Sequence, residues 1–156
     1  MINLAHVHLL LNHIPVLGSV FSLLFLSYAY IRKSQELTKT ALGIVIIIAL
    51  MTIPTYFTGE PAEEIIEKMP GIEKELIHEH EESAEYAFIG ILILGAVCLG
   101  GLFYFRHKSS IPQGFTITVI LLTLIICGIM ARTAHLGGLI QHPETRQEFV
   151  VHEEED

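Results

Sequence analysis

Nine histidines are the residues of this chain best equipped for chemistry. Eight of them (His6, His8, His13, His78, His80, His135, His142 and His152) gather at one end of a set of apolar blocks, and only His107 falls at the other. An ionisable side chain inside a membrane span is a candidate ligand or proton carrier by default. His13 answers best to that description, because it follows Asn12 and lies inside the first apolar block. His6 and His13 share a helix face two turns apart. His80 heads a stripe continuing as Ala84, Ala87 and Ile91, a face of small residues against which a bulky group can lie. Imidazoles from different helices at similar depth suit the axial positions of a b-type haem in a helical bundle. On this reading His13 is the leading candidate, and His80, His135 and His142 can join it from different helices at comparable depth. Gly18, Ala87, Gly90 and Gly137-Gly138 supply room for the ring. Arg132 or Arg146 can hold propionates in a bidentate fork, although a terminal arginine more commonly snorkels to the headgroups.

The same histidines allow a second chemistry. With Glu60, Glu63, Glu64, Glu81 or Glu82 they form an N/O donor set that zinc, copper or iron would accept. A metal site of this kind draws on His13, His80, His142, Glu60, Glu64 and Glu81. The run His78-Glu79-His80-Glu81-Glu82 has the composition of a metal site but no specific spacing, and a solvated acidic turn reads the same way. Covalent haem attachment is excluded by the absence of Cys-x-x-Cys-His. No nucleophile motif and no phosphate loop is present. An acidic face argues against nucleic acid as a partner. A carboxylate such as Glu60 or Glu64 beside a lipid-facing groove could serve quinone chemistry as a proton acceptor.

What must position these groups is four apolar blocks, expected as spans at about 8–31, 39–58, 84–105 and 113–134. Each approaches the ~20 residues a helix needs to cross a bilayer. With 51% hydrophobic residues in 156 and a mean hydropathy of +0.55, little is left for a soluble domain. The expected fold is therefore all-α: one integral membrane four-helix bundle over 1–142, with an acidic tail at 143–156. Pro15 withdraws the donor to the Leu11 carbonyl and should loosen the first helix. Apolar residues at helical spacing in 62–85 read as a separate surface helix, broken at Pro70-Gly71, between the second and third spans. Cys98 and Cys127 differ in depth by ~10 Å at ~1.5 Å per residue, too far for a disulfide, and read as packing residues. The chain reads as free of internal repeats.

Charge sets the orientation. Of seventeen acids, only Glu36 falls in the short connections after the first and third helices, which carry Arg32, Lys33, Lys39, Arg106 and Lys108. Positive residues mark the cytoplasmic side, so both termini and the 59–84 segment are expected outside, in a bacterial inner membrane. The first block lacks a basic lead and a small-residue cleavage site, and reads as a retained helix.

The stretch from His8 through Asn12, His13, Ile14 and Pro15 to Gly18, the histidine at the head of helix three and Gly137-Gly138-Leu139-Ile140-Gln141-His142 resemble a family of small four-helix bacterial membrane proteins. That family shows His-[Phe/Ile]-Pro in its first helix, a His before the third and Gly-Gly…His after the fourth. Thr58-Gly59-Glu60-Pro61-Ala62-Glu63-Glu64 resembles one of its subgroups. Some members are fused to Rieske iron–sulfur domains, which implies a redox setting and a b-type haem role. The expected partners are then respiratory complex subunits or a periplasmic cytochrome. Carried over by position, the resemblance points to His13, His80 and His142, and less to His8. The acidic 62–85 segment and the extra His135 depart from the family pattern.

Overall fold

The computed structural model describes residues 3–68 and 72–142. Six helices follow one another: α1 (Leu4–Leu11), α2 (His13–Ile31), α3 (Gln35–Phe57), α4 (Gly59–Ile66), α5 (Lys74–Phe105) and α6 (Gln113–Gln141). They make four stretches long and apolar enough to cross a membrane, with α1–α2 and α3–α4 each forming one. The outer faces of the helices are apolar: Leu17 and Leu24 on α2, Leu50 on α3, Ile93 on α5 and Leu121 on α6 are more than half exposed. A surface of that kind is solvated by lipid, not water. The protein is a multi-pass membrane four-helix bundle, as its sequence leads one to expect.

Helices α2 and α3 form one helical hairpin and α5 and α6 another; α3 packs on α5 and α2 on α6 to close the ring. Small residues let the backbones approach, as in membrane helices generally. Gly95 faces Ala49 across α5 and α3, where an added Cβ would come within 2.7 Å of the alanine methyl. At the first connection Lys33 adopts a left-handed φ of 51°, and Ser34 caps α3 by accepting from the Leu37 amide at 3.3 Å. The second connection is tied down by Gln35, whose Oε1 accepts from the Ile111 amide at 2.7 Å while its Nε2 donates to the Ile111 carbonyl at 3.4 Å.

Two expectations change. Residues 74–85 do not form a separate surface helix: they are the first turns of α5, continuous with the third span. Their acids and histidines extend that helix beyond its apolar stretch. The expected break at Pro70-Gly71 lies outside the described residues, as do Arg146, His152 and the rest of the tail.

The second correction concerns repeats, for the two hairpins repeat one another. The buried positions of α2 are Pro15, Ser19, Ser22, Leu26 and Ala29; those 72 residues on, Ala87, Ile91, Leu94, Cys98 and Gly101, are buried in α5. Between α3 and α6 the offset is 78 residues, because the second connection is longer. Thr38, Ala41, Val45 and Thr52 are matched there by buried Thr116, Val119, Thr123 and Met130. Contacts repeat too. The Ile48 side chain fills the recess at Gly18, and the Ile126 side chain fills the recess at Gly90; a Cβ on either glycine would meet the isoleucine Cδ1 at 2.5 Å. The bundle thus consists of two parallel copies of one hairpin about a pseudo-two-fold axis along its length, an arrangement known among membrane proteins.

Candidate functional site

At the histidine end the repeat becomes chemical. His8, on α1, places Nδ1 3.1 Å from the carbonyl oxygen of Thr55 and 3.2 Å from the hydroxyl of Thr58. His80, on α5, places Nδ1 3.0 Å from the carbonyl oxygen of Thr133. A carbonyl can only accept, so in each ring Nδ1 carries the proton and, in the neutral imidazole, Nε2 carries the lone pair. Each ring also lies over a glycine one helical turn beyond its threonine. A Cβ on Gly59 would meet His8 Cε1 at 3.6 Å, and one on Gly137 would meet His80 Cε1 at 3.1 Å. His8 and His80, Thr55 and Thr133, and Gly59 and Gly137 are all counterparts under the repeat. The two imidazoles are half-buried and lie within electrostatic reach of one another.

The threonines are held in turn. Thr55 Oγ1 donates to the Met51 carbonyl at 3.1 Å, and Thr133 Oγ1 to that of its counterpart Ile129 at 3.1 Å. Thr55 Oγ1 also reaches the Leu11 carbonyl at 3.4 Å, the acceptor that Pro15 leaves without its helical donor. In the second hairpin the residue matching Leu11 is Ser83, buried, with its hydroxyl 2.7 Å from Thr133 Oγ1. Since Thr133 Oγ1 is committed to Ile129, Ser83 is the donor. Nδ1–H held by a backbone carbonyl is the device that orients a ligating histidine and makes its other nitrogen more basic.

Of the histidines expected to matter, the structure brings together His8 and His80. His13 has an exposed ring whose Nδ1 donates to its own turn, at 3.0 Å from the Leu9 carbonyl. His135, His142 and Arg132 are exposed on and after the last turns of α6. Glu60, Glu64 and Glu81 are exposed as well; Glu60 and Glu81 lie within electrostatic reach of Tyr56 and of Glu63. Glu63, Glu67, Lys74, His78 and Glu81 line an open cleft of about 260 Å³. Among the described residues no three His, Cys, Asp or Glu side chains converge as a metal-ion cage.

The donor set suits a haem: two imidazoles from the two halves of the bundle, each with Nε2 bonded to no described residue. The space does not lie where the sequence suggests. The recesses at Gly18, Gly90 and Gly137 are taken by Ile48, Ile126 and His80, whereas Gly138 opens onto empty space. Thr55, Thr58, Thr133, Gly59 and Ser83 were not legible as site residues. The doubled pattern of a histidine pair (His6/His8, His78/His80) followed by Thr-x-x-x-Gly could have revealed them. No protein-family model, no curated protein and no solved structure matches the chain.

Proposed function

We propose that this protein is a membrane haem b electron carrier in which His8 and His80 would hold the haem, serving as a subunit or partner of a respiratory complex. The observation that carries the reading is the paired clamp: two symmetry-matched imidazoles, each pinned through Nδ1–H to a threonine carbonyl with Nε2 released. Haem fills its own equatorial positions and asks only two ligands of the protein. A bare zinc or copper ion asks for three or four, which the described residues do not bring together. When bound, the group supplies one-electron chemistry. The chain's own work is to fix both rings, exclude water with the packed interior beneath them, and present the acidic rim to solvent.

The resemblance of the segment around His13-Ile14-Pro15 to a family with some Rieske-fused members supports a haem, but it favours His13, His80 and His142 over His8, and the choice of His8 rests on the clamp geometry alone. Arg32, Lys33, Lys39, Arg106 and Lys108 gather at the opposite end, which supports an inner-membrane placement with both termini on the periplasmic side. The test is an absorption spectrum of the detergent-purified chain, oxidised and dithionite-reduced, with a pyridine haemochrome assay. A b-type α-band is expected in the wild type. It is lost in His8→Ala and His80→Ala alike and retained in His13→Ala, His135→Ala and His142→Ala. A flat visible spectrum from protein made with ample haem rules the proposal out.

A second reading has one observation in its favour, namely that each Nδ1 bond ties the outer ends of two helices together. If the histidines are clamps alone, the wild type is colourless, and His8→Ala and His80→Ala lower the unfolding midpoint without any spectral change.

A further inference from the structure

The opposite end of the bundle carries a second site on the same axis. A shallow, open cleft lies there between the hairpins. Gln35 and Thr38 line it from α3, and their counterparts Gln113 and Thr116 line it from α6, so both copies of the hairpin face one space. Tyr30 and Lys33 complete the polar lining, Lys33 is its one charged residue, and no carboxylate faces it. Gln35 is committed to the Ile111 backbone. The amide of Gln113, the hydroxyl of Tyr30 and the ammonium of Lys33 are the groups with protons to offer.

What surrounds the cleft says which ligand it takes. Arg32, Lys39, Arg106 and Lys108 are exposed at the same end of the bundle, with Glu36 as the one acid among the connections there. Arg106 lies over the Phe103 ring at 4.0 Å and Lys108 over the Tyr104 ring at 4.4 Å, while Tyr28, Phe103 and Tyr104 are at least half exposed. Exposed tyrosines and basic residues together mark the depth of the lipid headgroups. A basic rim at that depth attracts anionic lipids and repels the choline of zwitterionic ones.

We propose that this cleft binds the phosphate of an anionic phospholipid headgroup, with Lys33 as its charge partner and Gln113 and Tyr30 as donors. The inference is independent of the haem reading, which concerns the other end of the molecule.

The full chain in detergent is titrated with phosphatidylglycerol, with phosphatidylcholine and with inorganic phosphate. Thermal unfolding and native mass spectrometry are the readouts. Phosphatidylglycerol is expected to raise the midpoint by several degrees and to leave one retained lipid per chain, whereas the other two do neither. Lys33→Asn keeps a residue at home in the left-handed conformation and is expected to cut lipid retention several-fold. Lys39→Gln, which removes the same charge off the cleft, leaves retention near the wild-type level. Gln113→Glu places a carboxylate in the cleft and provides a second variant; it too should lose the lipid. Equal effects of the two lipids, equal effects of Lys33→Asn and Lys39→Gln, or full retention in Gln113→Glu would overturn the proposal. A shift of the same size with inorganic phosphate alone would assign the cleft to the free ion and overturn the lipid reading.

Discussion

The two hairpins reach the same clamp by different backbones. In the first, the helix breaks at Asn12 between α1 and α2, and again at Thr58 between α3 and α4. In the second, α5 and α6 run unbroken through the matching positions. Proline accounts for the contrast: Pro15, Pro54 and Pro61 are matched by Ala87, Arg132 and Leu139. Thr55 compensates for the missing donor to Leu11, while Thr133 has its hydroxyl free to receive Ser83. Two local solutions that differ in helix continuity, in capping and in charge still place an imidazole on a threonine carbonyl over a glycine. What stays constant while the scaffold varies is the imidazole held on a threonine carbonyl over a glycine.

The strongest way to break the comparison is to exchange the prolines. Ala87→Pro removes an amide donor in the interior of α5 and drives the proline ring against the carbonyl of Ser83. The cost is about 3 kcal/mol or more, read as a lower midpoint in mixed-micelle unfolding. Pro15→Ala should change stability by less than about 1 kcal/mol, because Pro15 lies in the first turn of α2, where the missing donor is one of the helix's unpaired amides anyway. Equal effects from the two exchanges would show that the hairpins tolerate the break alike, and the contrast drawn above would fall.

The comparison also explains what could be read in advance. The four spans, the loosening at Pro15, the inward stripe of His80, Ala84, Ala87 and Ile91, whose last two members are buried and first two half-buried, and the unpaired cysteines follow from hydropathy, proline chemistry and helical period, which are one-dimensional signals. The duplication did not show itself, because lipid-facing positions accept any apolar residue and interior ones specify size more than identity. Its fingerprint shrinks to scattered matches such as Gly18 with Gly90, Gln35 with Gln113, Ile48 with Ile126 and Thr55 with Thr133. The unequal offsets in the two helices of each hairpin break even that register. The site was half legible for a further reason. Its second partners are backbone carbonyls, which leave no mark on residue type, so depth, the neighbouring Asn12 and the family resemblance placed His13 ahead of His8. The space at Gly18 and Gly90 was misjudged because an isoleucine on the adjacent helix can fill what a glycine opens.

A milder substitution sharpens the difference between the halves. Ser83→Ala removes the donor to Thr133 Oγ1, a bond the first hairpin lacks because Leu11 stands in its place. Thr133 keeps its bond to Ile129, so nothing buried is orphaned. The loss should be about 0.5–1.5 kcal/mol by soluble standards and nearer ~0.6 for an interhelical bond in a membrane. Mixed-micelle unfolding would report it, with the His80 clamp intact and any haem spectrum unchanged. A loss of the spectrum in Ser83→Ala would mean that the hydroxyl positions His80 through Thr133, and that the two clamps are not equivalent.

The smallest effect is expected where the halves meet in solvent. Lys74, at the start of α5, pairs with Glu67 just beyond α4, the one side-chain ion pair among the described residues. The hydrogen bond from Lys74 and its charge hold the Glu67 carboxyl below the usual carboxylate range. A carboxyl lowered in the folded state contributes stability above its ordinary value and loses that contribution as pH falls through the lowered one. Any effect therefore lies on the acid side, and neutral pH is on the plateau. Both groups stand in water, where such pairs are screened by salt and contribute little. Lys74→Gln should return the Glu67 titration, followed by carboxyl NMR, to its ordinary range. It should leave the midpoint at neutral pH unchanged within error. A drop in that midpoint, persisting at high salt, would mean that the pair locks the first hairpin to the second, and that the halves are joined by more than packing and their two clamps.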